Sequence, residues 1–447
     1  MLEKRNLTEG PIHKHLISMG LPMVWGIFAV YLINLSDTYF VGLLGPEELA
    51  AMGFCFPVIN TLASLSIGLG VGATSVLSRA LGSGDMGRVR RLATDGLFLS
   101  VTIVCLFLTI GLLTMDPLFR AIGADGRVLE LIKEYMSVWY FGMGVLVVPM
   151  VGNGLIRANG NSVFPSIIMT VAAIINLVLD PLFIFGWGLF PSLGLQGAAW
   201  ATLVSRAITL IASLWVLTAK MNLLTAQTPR FKQLLVSWKQ LLYISIPAAG
   251  TQVIVPVSMG IVTALVATFG DDAVAGFGVA SRIEAFSLIG LMGLSSALGP
   301  VVGQNWGANK KDRVREGLVW SFKVVIAMGA GSSVLLYSIR YWVASVFSDH
   351  PGVIEAAADY LMLVPLSYMF FGLIQISNST FNAIGRPLPG VVVSLCRMLV
   401  FYIGPAYILS AHFGLRGVFF AAMFSNVAAA AVGVYLIRRM VLRPMTV

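Results

Sequence analysis

The sequence predicts an all-α membrane protein in which twelve transmembrane helices form two six-helix bundles, related by a pseudo-twofold axis along the membrane normal. Three observations support this prediction. Of the 447 residues, 57% are hydrophobic and only 11% are charged, against about 25% charged in an ordinary soluble domain. Apolar stretches of about 20 residues, the length of a membrane span, recur along the whole chain. The two halves of the chain also repeat one another.

The apolar stretches predict twelve helices in order. They cover 16–42, 50–76, 92–115, 130–154, 162–186, 196–219, 241–268, 275–300, 317–338, 357–382, 388–410 and 417–437. The first stretch lacks the small-residue cleavage site of a signal peptide, so we expect the first helix to be retained. A long polar connector follows the sixth stretch. We therefore predict an N-terminal lobe over 1–220, a cytoplasmic linker over 221–238 and a C-terminal lobe over 239–447.

The orientation follows from the positive residues, because Lys and Arg are enriched in cytoplasmic segments. The outer loops and outer helix ends hold only Arg120, Arg127, Lys133, Arg340 and Arg416, and most other Lys and Arg residues lie in segments on the opposite side. This distribution predicts a multi-pass protein of the cell (inner) membrane with both termini in the cytoplasm. Membrane topology thus accounts for the net charge of +9, and nucleic-acid binding is not expected.

The sequence does not favour an enzyme. Its four histidines lie in the N-terminal segment or in loops, without a metal-binding spacing, and its three cysteines fall inside predicted helices. No phosphate-binding loop or dinucleotide-binding fingerprint follows a predicted strand. We therefore expect no cofactor, no Cys or His metal site and no catalytic nucleophile.

An internal repeat relates the two halves. An offset of 225 residues aligns Pro22 with Pro247, Asn153 with Asn378 and the segment 82–90 with 307–315. Because each repeat has an even number of helices, both repeats begin on the same side of the membrane. Parallel repeats of this kind favour a central cavity between the two halves.

The acidic residues break the repeat. Asp37 aligns with Val262 under the offset of 225. Asp180 aligns with Gly404 through the Pro181 and Pro405 pair, and Thr202 aligns with Ala422 through the GLQG and GLRG segments, after a gap of a few residues. A carboxylate at membrane depth costs at least about 2.5–3.5 kcal/mol, so it persists mainly where it faces a cavity or a partner. The polar residues present in one half alone are therefore the better candidates for chemistry.

Helical spacing predicts that these polar residues meet. Asn176 and Asp180 share one face of the fifth helix, and Asn34 and Asp37 share one face of the first. Two adjacent carboxyl groups would retain one proton, because desolvation and mutual repulsion disfavour two ionised groups. The same oxygens, with the Asn176 amide and the Thr202 hydroxyl, could instead coordinate Na⁺.

Simpler interpretations of these residues remain open. Asp37 could cap a helix end, and Asp180 could mark an extended turn before Pro181. Thr202 and Asn34 could form ordinary hydrogen bonds between helices.

Four further residues are candidates for substrate binding and movement. Asn34, Tyr39 and Asn153 are candidate substrate contacts. Pro22 lies 15 residues before Asp37 and removes a helical hydrogen bond, which makes it a candidate hinge. A fixed kink is the alternative, because Pro247 repeats the proline in a helix without an acid.

Several segments carry a family resemblance over nearly the whole chain. They read PMVWGIFAVYLINLSDTYFVGLLGPEELAAMG, GSGDMGRVRR, NGLIRANGN, INLVLDPLFIFGWGLFPSLGLQGAAWAT and GANKKDRVRE. They resemble the multidrug and toxic compound extrusion (MATE) family of efflux transporters, and most closely its DNA-damage-inducible-protein (DinF)-like branch. The resemblance implies export of organic cations and amphipathic drugs in exchange for H⁺ or Na⁺, by alternating access of two six-helix bundles.

The resemblance also implies where the coupling ion binds. The DinF-like branch carries its acidic site in the N-terminal lobe, at the positions of Asp37, Asn176, Asp180 and Thr202. Another branch uses acids in the seventh and tenth helices, where this chain offers Gln252 and Gln375 instead. We expect a monomer in the lipid bilayer that exchanges a small-molecule drug for H⁺, with Na⁺ as the alternative ion.

A lipid or oligosaccharide flippase is the alternative function. A flippase would need a cavity dominated by Arg and Lys to bind phosphate groups. Of the cations near predicted spans, Arg206, Lys323 and Arg397 are expected near helix ends, which disfavours that function.

Overall fold

The computed structural model describes residues 6–186, 191–227 and 231–442, and nearly all of these residues are helical. Within these described ranges, ten helices are long and apolar enough to cross a membrane, and two bent helix pairs complete a set of twelve spans. The twelve spans are α1 (Ile12–Gly42), α2 (Pro46–Gly82), α3 (Met86–Ala121), α4 (Gly126–Phe141 with Met143–Ala158), α5 (Val163–Phe185), α6 (Leu195–Lys220), α7 (Phe231–Ala267), α8 (Asp271–Ser287 with Ile289–Gly307), α9 (Lys311–Ser345), α10 (Pro351–Ala383), α11 (Leu388–Phe413) and α12 (Leu415–Leu442).

The twelve predicted spans are confirmed in number and order. The two bent spans are not equivalent in the repeat, because the offset of 225 pairs α4 with α10 and α8 with α2; α4 bends by 44° and α8 by 43°. These lengths and compositions are those of a multi-pass membrane protein.

The described chain divides into two compact units. The first unit runs from Trp25 to Ala249, and the second combines Leu7–Val24 with the chain from Gly250 onward. The core of the first unit includes the buried side chains of Ile132 and Leu155. The core of the second includes those of Leu298 and Leu361.

These units differ from the predicted lobes because two helices are divided between them. In α1, Leu16 and Met19 are buried in the core of the second unit. In α7, Leu241 and Ile244 are buried in the core of the first unit. The offset of 225 pairs Leu16 with Leu241 and Met19 with Ile244, so the repeat extends to this exchange of half-helices.

The predicted linker 221–238 is also shorter in the structure. Residues 228–230, including the positive Arg230, lie outside the described residues, as do residues 1–5 of the predicted N-terminal lobe. From Phe231 onward the segment is helical and begins α7. Leu234 is buried, and the Trp238 indole Nε1 donates to the backbone oxygen of Asp95 at 3.1 Å. These apolar side chains pack against the first unit, which explains why this part of the predicted linker is ordered.

The local structure explains why two short motifs recur. Val89 and Val314, one in each charged segment of the repeat, are both buried in their cores. Gly160 and Gly385 follow helix ends with φ values of 85° and 78°. Residues other than glycine rarely adopt this left-handed conformation, so the same turn requires glycine in both halves.

Candidate functional site

The first unit contains a cluster of polar side chains around two aspartates. Asn176 and Asp180 lie one turn apart on α5, and both are fully buried. The Asn176 Nδ2 donates to Asp180 Oδ1 at 3.3 Å and lies 3.5 Å from Thr202 Oγ1 on α6. Ser36 on α1 donates its hydroxyl to Asp180 Oδ2 at 3.3 Å. Three helices therefore meet at Asp180.

Asp37 completes this acidic cluster from α1. Its carboxyl group interacts with the side chains of both Asp180 and Asn176. Among the described residues, its Oδ1 atom is buried without a hydrogen-bond partner. Two carboxyl groups in contact away from water repel each other unless a cation or a shared proton lies between them. The arrangement can therefore bind a proton or a small cation.

Close helix packing brings these side chains together. A Cβ atom on Gly197 of α6 would lie 2.4 Å from the backbone oxygen of Phe183, which leaves room only for glycine. On the other side of α5, a Cβ on Gly26 of α1 would lie 3.1 Å from the Ser166 Cα. The turn between α5 and α6 is fixed by a hydrogen bond from the Gly194 amide to the Ile184 carbonyl oxygen at 3.1 Å.

The structure brings together the four residues predicted for ion coupling but separates the other candidates from them. Asn34 is exposed, and Tyr39 is 63% exposed. Asn153 is buried and lines a separate small cavity in the same unit. Pro22 lies inside α1, which continues through it as one helix.

Sequence reasoning missed three residues near the acidic cluster. The Ser36 hydroxyl donates a hydrogen bond to Asp180. Tyr135 on α4 is buried and interacts electrostatically with both aspartates. Arg206 on α6 interacts through space with Asp37. The sequence contained one indication of the position of Arg206, because this residue follows Thr202 by four residues and therefore shares its helix face.

The expected position of Arg206 near a helix end was wrong. It lies in the middle of α6, and its Nε atom is buried. Arg397 likewise lies in the interior of α11 and not at its end. Both arginines are therefore cations inside their units.

The second unit has a buried polar cluster of a different kind. The Tyr360 hydroxyl donates to a carboxylate oxygen of Glu284 on α8. The Arg397 guanidinium lies 4.9 Å from the centre of the Phe371 ring and interacts through space with Glu284. Here one acid is matched by one arginine, whereas the acidic cluster of the first unit holds two acids near one arginine.

Comparisons with known proteins agree with this architecture. The MatE family model matches residues 22–182 and again 247–408, once in each half. A protein of Shewanella oneidensis named FAD transporter is 36% identical over 98% of this chain and 97% of its own length. The probable multidrug resistance protein YoeA of Bacillus subtilis is 26% identical over 87% of this chain and 88% of its own.

A solved structure shows the same fold. The MATE transporter VcmN of Vibrio cholerae, in its bent form, matches with a TM-score of 0.90 and 28% identity, over 96% of this chain and 97% of that one. The family model covers most of the chain, and the fold, the repeat and the relatives all agree with it. The chain therefore belongs to the MatE family of membrane transporters and is not an enzyme.

Proposed function

We propose that this protein is a proton-coupled multidrug efflux antiporter that exports organic cations and amphipathic drugs. In this proposal Asp37 and Asp180 carry the coupling proton, and Asn176 and Thr202 position the two carboxyl groups. The interaction between the carboxyl group of Asp37 and that of the fully buried Asp180 is the observation that carries the proposal. The pair can take up a proton when it faces the outside and release it when it faces the cytoplasm.

The orientation of Asn176 favours H⁺ over Na⁺. Its amide nitrogen points to Asp180 Oδ1 and to Thr202 Oγ1. A sodium ion needs oxygen ligands; the amide nitrogen supplies none, so the Asn176 Oδ1 atom, which is buried without a partner among the described residues, would have to turn toward the ion. A proton shared by the carboxyl groups needs no further ligand.

The transport cycle follows from this proton site. Proton entry from outside would displace drug from the N-terminal lobe, where Asn34, Tyr39 and Asn153 are the candidate substrate contacts. Pro22 would allow α1 to bend as the cluster changes its protonation state. We place both termini in the cytoplasm and expect the inner membrane and a monomer. One charge crossing 100 mV supplies about 2.3 kcal/mol, roughly a 50-fold gradient of a neutral drug.

A flavin nucleotide is a second candidate substrate. The relative named FAD transporter is 36% identical to this chain, compared with 26% for YoeA. Outward movement of an anion and inward movement of a proton transfer charge in the same direction. Export of a flavin nucleotide should therefore respond strongly to membrane potential, whereas one-for-one exchange of a monovalent cation for H⁺ should not.

Export from liposomes that contain the purified protein tests the proposal. A fluorescent organic cation is loaded, and export is driven by a pH gradient in sodium-free buffer and then by a sodium gradient at fixed pH. We expect export on the pH gradient alone and its loss in Asp37→Asn. Export that requires sodium would overturn proton coupling, and unchanged export by Asp37→Asn would overturn the role of the acidic cluster. Liposomes loaded with FAD test the second candidate in the same assay.

A further inference from the structure

A small cavity lies along the helices that form the acidic cluster. On α1 its lining residue Val30 precedes Asp37 by two helical turns, about 10 Å. On α6 its lining residue Arg206 follows Thr202 by one turn. Since α1 and α6 run in opposite directions, both steps lead toward the same end of the first unit. The charge distribution predicts that this end is cytoplasmic.

The cavity is too small for a drug. Its volume is about 20 Å³, which holds one water molecule, whereas drug-sized ligands occupy pockets of about 300–1,000 Å³. Two of its polar atoms, the Arg206 Nε and the Asn153 Oδ1, have no hydrogen-bond partner among the described residues. Within the described part of the chain, Arg206 is therefore a partly buried cation without a direct ion pair to the acidic cluster.

The charge of this region depends on Arg206. Two carboxylates and one guanidinium sum to one negative charge without a proton, to zero with one proton, and to one positive charge with two. A buried net charge is costly, so the state with one proton is favoured. Without the guanidinium, the two carboxyl groups would become neutral only with two protons. The other titratable groups nearby are the Tyr135 phenol on α4 and the Cys55 thiol on α2, both buried and uncharged near neutral pH.

We infer that Arg206 is the fixed counter-charge of the acidic cluster and limits it to one proton per transport cycle. Arg206 acts through Asp37 and is a positioning residue for charge, not a substrate contact. This inference rests on the proposed proton coupling. It adds the number of protons exchanged and the residue that sets this number.

The proton count can be measured at zero membrane potential. The membrane potential of the liposomes is clamped at zero with potassium and valinomycin. At a fixed pH gradient, the gradient of a monovalent fluorescent cation, used as the drug, is then varied until no net movement of the cation occurs. With one proton per drug, a gradient of one pH unit balances about a tenfold drug gradient. With two protons it balances about a hundredfold gradient. For the wild type and Arg206→Lys, a gradient of one pH unit should balance a tenfold drug gradient. For Arg206→Met, the balancing drug gradient should move toward hundredfold.

The control is Lys323→Met, which removes an exposed positive charge from α9 in the second unit and should balance as the wild type does. A hundredfold balance in the wild type would overturn the inference, even if Arg206→Met failed to fold. Unchanged balance in a folded Arg206→Met protein would also overturn it. If no pH gradient drives export by the wild type, the proposed function itself fails and the inference fails with it.

Discussion

The hydrogen bond from Asn176 to Asp180 yields a quantitative prediction for the pH dependence of export. We consider Asn176→Leu, which removes the amide and keeps a side chain of similar size in a fully buried position. A hydrogen bond to a charged group contributes about 1.5–3 kcal/mol. Charge-assisted bonds are usually about 2.7–2.9 Å long, so the observed 3.3 Å places this bond at the lower end, about 1.5 kcal/mol.

The sign of the effect follows from which form of the carboxyl group the amide stabilises. A donor stabilises the ionised carboxylate, so its removal favours the proton-bound state. One pH unit corresponds to about 1.36 kcal/mol. The alkaline limb of the export profile should therefore move to higher pH by about one unit in Asn176→Leu.

To measure the shift, the pH inside and outside the liposomes is raised in equal steps, so that the pH difference stays constant, and export is recorded at each step. Thr202→Val is the matched control, because the Thr202 hydroxyl lies 3.5 Å from Asn176 Nδ2 and should contribute less than about half a pH unit. An alkaline limb that stays in place, or moves to lower pH, in a correctly folded Asn176→Leu protein would refute the reasoning.

Two further predictions concern stability, measured as thermal unfolding in detergent. Gly154→Ala places a Cβ 2.5 Å from the backbone oxygen of Gly70 and should destabilise by about 1–3 kcal/mol; Gly53→Ala, with open space around its Cβ, should not, and equal effects would contradict the packing argument. Arg91→Met leaves the buried Asp95 carboxylate without its 2.7 Å ion pair and should cost about 3–5 kcal/mol, most of which the double variant with Asp95→Leu should recover; an additive double variant would contradict this.

The number and order of the helices could be predicted from the sequence because length and composition decide whether a segment can cross a membrane. The meeting of Asn176, Asp180 and Thr202 was also predictable, because the spacing of four residues on one helix and the asymmetry of the repeat are both visible in the sequence. The repeat also predicted that Val89 and Val314 occupy equivalent positions.

The remaining features depend on packing that no local pattern specifies. The boundary between the units falls within α1 and α7 because half-helices pack in different cores, although each helix continues unbroken through that boundary. Arg206 was misplaced because a single cation in a span suggests a helix end, where its charge can reach water. The spacing of four residues places it on the helix face of Thr202, but only the three-dimensional arrangement shows that it lies near Asp37.

The divided helices have a consequence for synthesis of the protein. The half-helix that carries Leu16 and Met19 leaves the ribosome first, yet the core that buries it includes Val301 and Val314, which are translated some three hundred residues later. The first unit, in turn, lacks Leu241 and Ile244 until α7 has been made. The start of α1 must therefore remain in the membrane without its core through most of translation, and the first unit cannot finish folding until the first half of α7, which belongs to the second repeat, has been synthesised.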